Sequence, residues 1–294
     1  SLIIAYREVL LYAQSGAGKT SLLNTNIIPM LEENKFDVLP VARVKGIISK
    51  EIKPEEVQNV FVFNTLRNWI KDKIDPKMSL TVFLRKRERV IDEDGMPSPR
   101  AIIFDQFEEL FTFYTKGWGD RELQKERKVF FEQIRKSLED DSLLRVIFTM
   151  REEYTAQIDS FASILPEKLR TRFYLKCLNK KMASLAIESP VNGTGVLYAE
   201  GVSKQLAEDL SKTVRETDTG TVVLPGDFVE PVQLQIVCHT LWQNLPGDVK
   251  EITKEHLQKV GDVNKTLSGF YEDAIRKAVI KTGVNEWDLR EWFG

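Results

Sequence analysis

Val9-Leu10-Leu11-Tyr12-Ala13-Gln14-Ser15-Gly16-Ala17-Gly18-Lys19-Thr20-Ser21-Leu22 is the stretch that decides how this chain reads. An apolar run stops at a cluster of small residues. A segment with Leu23, Ile27, Met30 and Leu31 at helical spacing follows. The order is strand, tight turn, helix. From Ala13 to Thr20 the spacing is G-x-x-x-x-G-K-[ST], with alanine at the first glycine position. Small residues let backbone N–H groups turn inward around an anion, and the helix behind them aims unpaired N–H groups and its positive dipole end at the same point. Lys19 is a point charge for terminal phosphate oxygens, the Thr20 hydroxyl suits Mg²⁺, and Ser21 reaches the next phosphate back. Gln14, Ser15, Gly16, Ala17, Gly18, Lys19, Thr20 and Ser21 are thus a candidate phosphate cradle. A glycine turn that merely caps a helix is the bland alternative.

Such a cradle needs an acidic residue at the end of another apolar strand, and Ile102-Ile103-Phe104-Asp105 supplies one. Asp105 would hold Mg²⁺ through water, opposite Thr20. Glu108 and Glu109 follow. Either can polarise an attacking water as general base, or simply favour the start of the next helix through its dipole; of the two, Glu109 is the preferred base. Arg151 closes the apolar run Leu143–Met150, and ligands of open α/β sheets bind at the carboxyl ends of strands. It can read a γ-phosphate or pair with Glu152 or Glu153 at the surface.

Around these motifs, residues 1–178 alternate strand and helix signals. Strands are expected at Val9–Tyr12, Val38–Val44, Ala101–Phe104, Leu143–Met150 and Phe173–Leu175, and helices over 55–71, 79–89 and 120–139, the last facing solvent. Nearly continuous apolar strands between helices indicate a parallel sheet covered on both faces. From 179 to 294 helical periods dominate, over 180–189, 203–216, 231–245, 253–261 and 264–281. The clearest stripe is Leu234, Val237, Cys238, Leu241, Trp242 and Leu245. The expectation is an α/β nucleotide-binding domain over 1–178 and an all-helical domain over 179–294.

Composition narrows the class. Forty-two basic and 44 acidic side chains give a net charge of −2, which argues against binding nucleic acid by bulk electrostatics. Two cysteines, Cys177 and Cys238, build neither a disulfide framework nor a zinc site, and fit a cytoplasmic setting. No apolar run is long enough to span a bilayer. The chain closes on the apolar Trp292-Phe293-Gly294 and reads as a piece of a longer protein. Three other signals are set aside. Asn34-Lys35-Phe36-Asp37 spells a guanine-recognition pattern but comes too early. His239 and His256 read as exposed polar residues. Arg85-Lys86-Arg87-Glu88-Arg89 reads as a solvated helix face. Lys168, Arg170 and Arg172 lie near the domain junction without a decided role.

Asp105-Gln-Phe-Glu108-Glu109-Leu-Phe, with Gly18-Lys19-Thr20-Ser21-Leu22, resembles the STAND ATPases, the class that includes NACHT proteins, and in particular their bacterial "novel STAND" branch. Thr149-Met-Arg151-Glu-Glu-Tyr is similar to that branch's arginine-bearing strand. Glu230-Pro-Val-Gln-Leu-Gln and Cys238-His-Thr-Leu-Trp242 are similar to its helical-domain signature. The resemblance implies an ATP/ADP and Mg²⁺ site with Glu108 and Glu109 on the water and Arg151 as sensor, and Pro190 packed against adenine. It also implies a winged-helix domain beyond residue 294, sensor and effector domains elsewhere, and a slow ATPase that acts as a homo-oligomerising switch, often in antiphage defence. An AAA+-like remodelling ATPase and a nonhydrolysing scaffold are the rival readings.

Overall fold

The computed structural model describes residues 2–46, 56–112, 120–217, 220–260 and 263–293. Glu55, Gly261 and Gly294, the ends of three expected segments, lie outside them. The chain divides into two compact units, Ser1–Lys176 and Cys177–Gly294, against a boundary expected at 178.

The first unit is built on five strands: β1 Glu8–Ala13, β2 Asp37–Val38, β3 Arg100–Phe104, β4 Leu144–Arg151 and β5 Thr171–Tyr174. They form one parallel sheet in the order β2-β3-β4-β1-β5. Side chains alternate between the two faces of a strand, and each central strand feeds two cores. Leu10, Ile102, Phe104, Val146, Phe148 and Met150 enter one apolar cluster, while Val9, Leu11, Ala101, Ile103 and Ile147 enter the other. Both faces are covered, which is why the strands read as continuous apolar runs.

The helices of this unit are α1 Leu2–Ala5, α2 Lys19–Leu22, α3 Ile28–Glu33, α4 Val60–Trp69, α5 Leu80–Lys86, α6 Glu109–Thr112, α7 Asp120–Asp140 and α8 Thr155–Ala162. Between α2 and α3 the residues Leu23–Ile27 form a π-helical turn, and Ile28 N–H donates to Leu23 C=O. Asn59 and Ser79 cap α4 and α5 through side-chain oxygens that accept Val62 and Val82 N–H. The expected solvent-facing helix is less exposed than its charges suggest. On α7, Leu123, Phe130, Phe131, Ile134 and Leu138 are buried, and Phe130 and Phe131 join Phe104, Phe107 and Phe148 in an aromatic cluster. Burying such rings contributes about 1.5–3 kcal/mol each, so this cluster fixes β3 and β4 from one side.

The strand expected over Val38–Val44 is shorter. Only Asp37–Val38 pairs with β3, and Ala42 makes a lone bridge to Phe104. N–H groups reach β3 from Asp37, Leu39 and then Ala42, so one extra residue is inserted at Pro40–Val41 and breaks the regular ladder between them.

In the second unit helices dominate: α9 Lys180–Glu188, α10 Val202–Ser211, α11 Pro231–Gln243, α12 Lys254–Val260, α13 Val263–Thr282 and α14 Glu286–Phe293. It is not purely helical. Three two-stranded pairings are inserted: Leu178–Asn179 with Phe228–Val229, Leu197–Tyr198 with Glu251–Ile252, and Thr213–Thr217 with Gly220–Leu224. The helix expected over 203–216 therefore stops at Ser211. Along α11, Leu234, Val237 and Leu241 are buried as the stripe predicts, while Trp242 is exposed. His239 is exposed, whereas His256 is half-buried and its Nδ1 accepts the Thr253 N–H at 3.0 Å. Among the described residues no helix is long and apolar enough to cross a membrane.

Candidate nucleotide site

Strand register assembles the site. β1 ends at Ala13, which lies abreast of Arg151 at the end of β4. Phe104 pairs with Phe148, so Asp105, one residue on, comes level with Thr149. Four residues from three chain segments thus meet at the carboxyl end of the sheet.

The turn after β1 takes its shape from two glycines in the left-handed region, Gly16 (φ 77°) and Gly18 (φ 89°), where a Cβ is strained. Gly18 is also the N-cap of α2. Gln14, Ser15, Gly16, Thr20 and Ser21 are exposed, Ala17 is buried, and Gly18 and Lys19 are half-buried. The Lys19 ammonium donates to the carbonyls of Ala13 (3.2 Å) and Gln14 (3.0 Å). Burial lowers its pKa, and the nearby Glu108 and Asp105 carboxylates act in the opposite direction.

Asp105 is buried and accepts two hydroxyls, from Thr20 at 2.7 Å and from Thr149. A carboxylate and a threonine hydroxyl in contact at the cradle's mouth are the oxygen donors a Mg²⁺ ion takes, so the residues fit that ion. Thr149 itself is missed by motif reading. Its signal was a lone hydroxyl residue in an otherwise apolar strand end.

The two glutamates part ways. Glu108 is buried, and its carboxylate accepts the Arg151 N–H at 3.3 Å and lies 3.5 Å from the Arg151 side-chain Nε. Arg151 therefore meets Glu108, not Glu152 or Glu153. Burial raises the Glu108 carboxyl, with backbone N–H groups, Lys19 and Arg151 partly opposing the shift. Glu109 is engaged by Arg43, whose Nε donates at 3.1 Å while a second guanidinium nitrogen contacts both Glu109 and Gln106. The pair holds the Arg43 guanidinium above its ordinary value. Gln106 sits at φ 52°, an uncommon backbone for a residue with a Cβ. Arg43 is a second residue that motif reading misses. It follows the interrupted β2 segment, and only strand order brings it beside β3.

The remaining candidates lie elsewhere. Pro190 is exposed in the 3₁₀ turn Ser189–Val191 of the second unit. Asp37, in the guanine-like pattern, is held by Arg87 and Arg100. Arg172 pairs with Asp159.

A glycine turn between strand and helix, an acid ending the third strand and a parallel sheet in this order define a P-loop NTPase. The family model for "Novel STAND NTPase 1" matches residues 3–279, and the chain belongs to that family of nucleotide-dependent NTPases. No curated protein matches the sequence. Many solved structures share the fold, and two of them serve as examples. A chain of the E. coli MS115-1 HORMA:CdnC:Trip13 complex is 12% identical with a TM-score of 0.53, covering 88% of this chain and 74% of that one. The Aeropyrum pernix ORC1 protein, solved in complex with DNA, is 11% identical with a TM-score of 0.50, covering 92% of this chain and 62% of its own.

Proposed function

We propose that this chain binds ATP in the cradle from Gln14 to Ser21, hydrolyses it slowly, and uses the bound nucleotide to gate self-association in cytoplasmic signalling. The observation that carries the reading is the Thr20–Asp105 hydrogen bond beside Lys19, at the start of α2, an end of a helix that favours an anion. A Mg²⁺ ion bound by Thr20 and Asp105 would neutralise charge on the β- and γ-phosphate oxygens.

The chain's own residues supply the rest. Lys19 and the N–H groups of the turn bind the phosphate tail. Glu108, with its raised pKa and its place beside Lys19 and Arg151, is the better proton acceptor for an attacking water. The sequence favours Glu109 for that role, but its oxygens are taken by Arg43, which suits it to positioning the loop. Arg151 contacts Glu108 and stands at a strand end, so loss of a γ-phosphate would be felt at the base. Pro190 as an adenine contact rests on the family resemblance. Bacterial antiphage defence as the setting rests on it too.

Gating follows if ATP and ADP differ in affinity for the resting and assembling forms. Lys19→Ala should abolish ATP binding in calorimetry; an unchanged affinity refutes the cradle. Mass photometry with ATP, ADP and a hydrolysis-resistant analogue tests the gating. Large assemblies specific to the triphosphate support it. Steady turnover with no nucleotide-dependent assembly points instead to a remodelling ATPase.

A further inference from the structure

At the opposite edge of the sheet from the cradle, where strands begin, lies a cleft of about 410 Å³. It is lined chiefly by Arg85, Arg87, Arg89 and Arg100, with Asp140 and Asp141. The arginine run expected to form a solvated helix face is exposed from Arg85 to Glu88, but only its first two residues are helical. α5 ends at Lys86, and the residues beyond it turn back toward the sheet. Arg87 and Arg100 share Asp37, Arg85 donates to Asp140 at 2.7 Å, and Arg89 grips Asp141.

Four guanidiniums against three carboxylates leave one positive charge in excess. Their engagement is also unequal. Arg100 is buried and satisfied, with all three nitrogens bonded to Asp37, Leu84 C=O and Glu88 C=O. The buried Nε of Arg89 has no hydrogen-bond partner. Arg85 and Arg87 each give one terminal nitrogen to a carboxylate, and among the described residues their other guanidinium nitrogens have no protein partner. Arg85 and Arg87 are exposed, so their spare N–H groups face solvent and are available to an anion that enters the cleft. Here the open donors gather in one cleft, within the ~300–1,000 Å³ typical of small-ligand sites.

We propose that this cleft binds a small phosphate-bearing anion. Guanidinium forks present paired N–H groups that match phosphate oxygens, and a phosphate offers enough acceptors for several forks at once. The site is separated from the cradle by the length of β3, about 16 Å for five residues, and it is independent of the nucleotide reading.

The test is calorimetry on the Lys19→Ala protein, which weakens the other anion cradle, with inorganic pyrophosphate, AMP and citrate as probes. Saturable pyrophosphate binding is expected, weakened about tenfold by Arg85→Gln, the equivalent of ~1.4 kcal/mol. Asp140→Asn, which frees Arg85 and raises the local charge, should tighten it. Arg85 is 60% exposed, so its variant keeps the fold, checked by an unchanged melting curve. AMP binding at least as tight as pyrophosphate identifies a nucleoside phosphate as the ligand; weaker AMP binding identifies an inorganic or smaller phosphate. Citrate bound more tightly than both phosphates overturns the assignment. So does an absence of binding tighter than about 1 mM, or an affinity unchanged in both variants.

Discussion

Removing the Arg43 side chain tests whether the contact between the segment after β2 and the acidic loop after β3 has energetic weight. Arg43 meets Glu109 in a fork, Nε at 3.1 Å and a second nitrogen on the other oxygen, with side-chain exposures of 42% and 12%. At contact distance, two unit charges attract by ~1 kcal/mol in water and ~4 kcal/mol near a protein surface. Because the guanidinium is nearly half exposed, solvent screening pulls the value toward the lower end. A coupling of about 1–2 kcal/mol follows. For a unit of 176 residues, each kcal/mol shifts the melting temperature by about 2–4 °C. Arg43→Ala should therefore lower it by roughly 2–8 °C. Arg43→Lys, which keeps the charge but cannot fork, should recover only part. The decisive assay is a double-mutant cycle of Arg43→Ala with Glu109→Gln in urea denaturation, followed by circular dichroism. If the two losses add to within about 0.5 kcal/mol, the residues are not coupled and the reasoning fails.

Three further outcomes are expected. Because a general base works deprotonated and burial raises the Glu108 carboxyl, hydrolysis should increase with pH through a limb above the ordinary glutamate range. Glu108→Gln should remove that limb with most of the turnover, and its survival would place the base elsewhere. Arg151→Ala should weaken the ATP-dependent response more than ADP binding. It also removes a cation that lowers the Glu108 pKa, so the same limb should move to higher pH; a limb unmoved would separate Arg151 from the base. At the far edge, the buried Glu8 carboxylate accepts the Glu167 and Leu169 N–H groups. Glu8→Gln turns an amide N–H toward one of them and should cost about 1–3 kcal/mol in urea denaturation, whereas an unchanged midpoint would show the pair to be dispensable.

What could be read from sequence was what is local. The cradle is eight consecutive residues whose small side chains, lysine and threonine act within one turn, and Asp105 announces itself by ending an apolar strand. Thr149 and Arg43 could not be found that way. Each matters only because β3 lies between β2 and β4, an adjacency that strand order and register decide. The same holds for Arg85 to Arg89, whose charges suggested solvent but whose partners, Asp37, Asp140 and Asp141, come from β2 and the end of α7. The helix over 203–216 was overextended for a local reason. Lys212 is already extended at the C-cap, and Thr213 and Val214 are β-branched residues that favour a strand.

The π-helical turn at Leu23–Ile27 gives the element behind the cradle an adjustable phase. Leu23, Ile27 and Leu31 are all buried, yet steps of four in a regular α-helix drift by about 40° each. A widened turn rotates the other way and brings the third leucine-type anchor back into line, at the place where Pro29 has no N–H to offer a regular ladder. Excising one residue from this turn would convert the anchors to steps of three and four, an ordinary amphipathic rhythm. The chain should therefore absorb a single-residue deletion here more readily than in α7, where the same cut would rotate Phe130 and Phe131 away from Ile134 and Leu138.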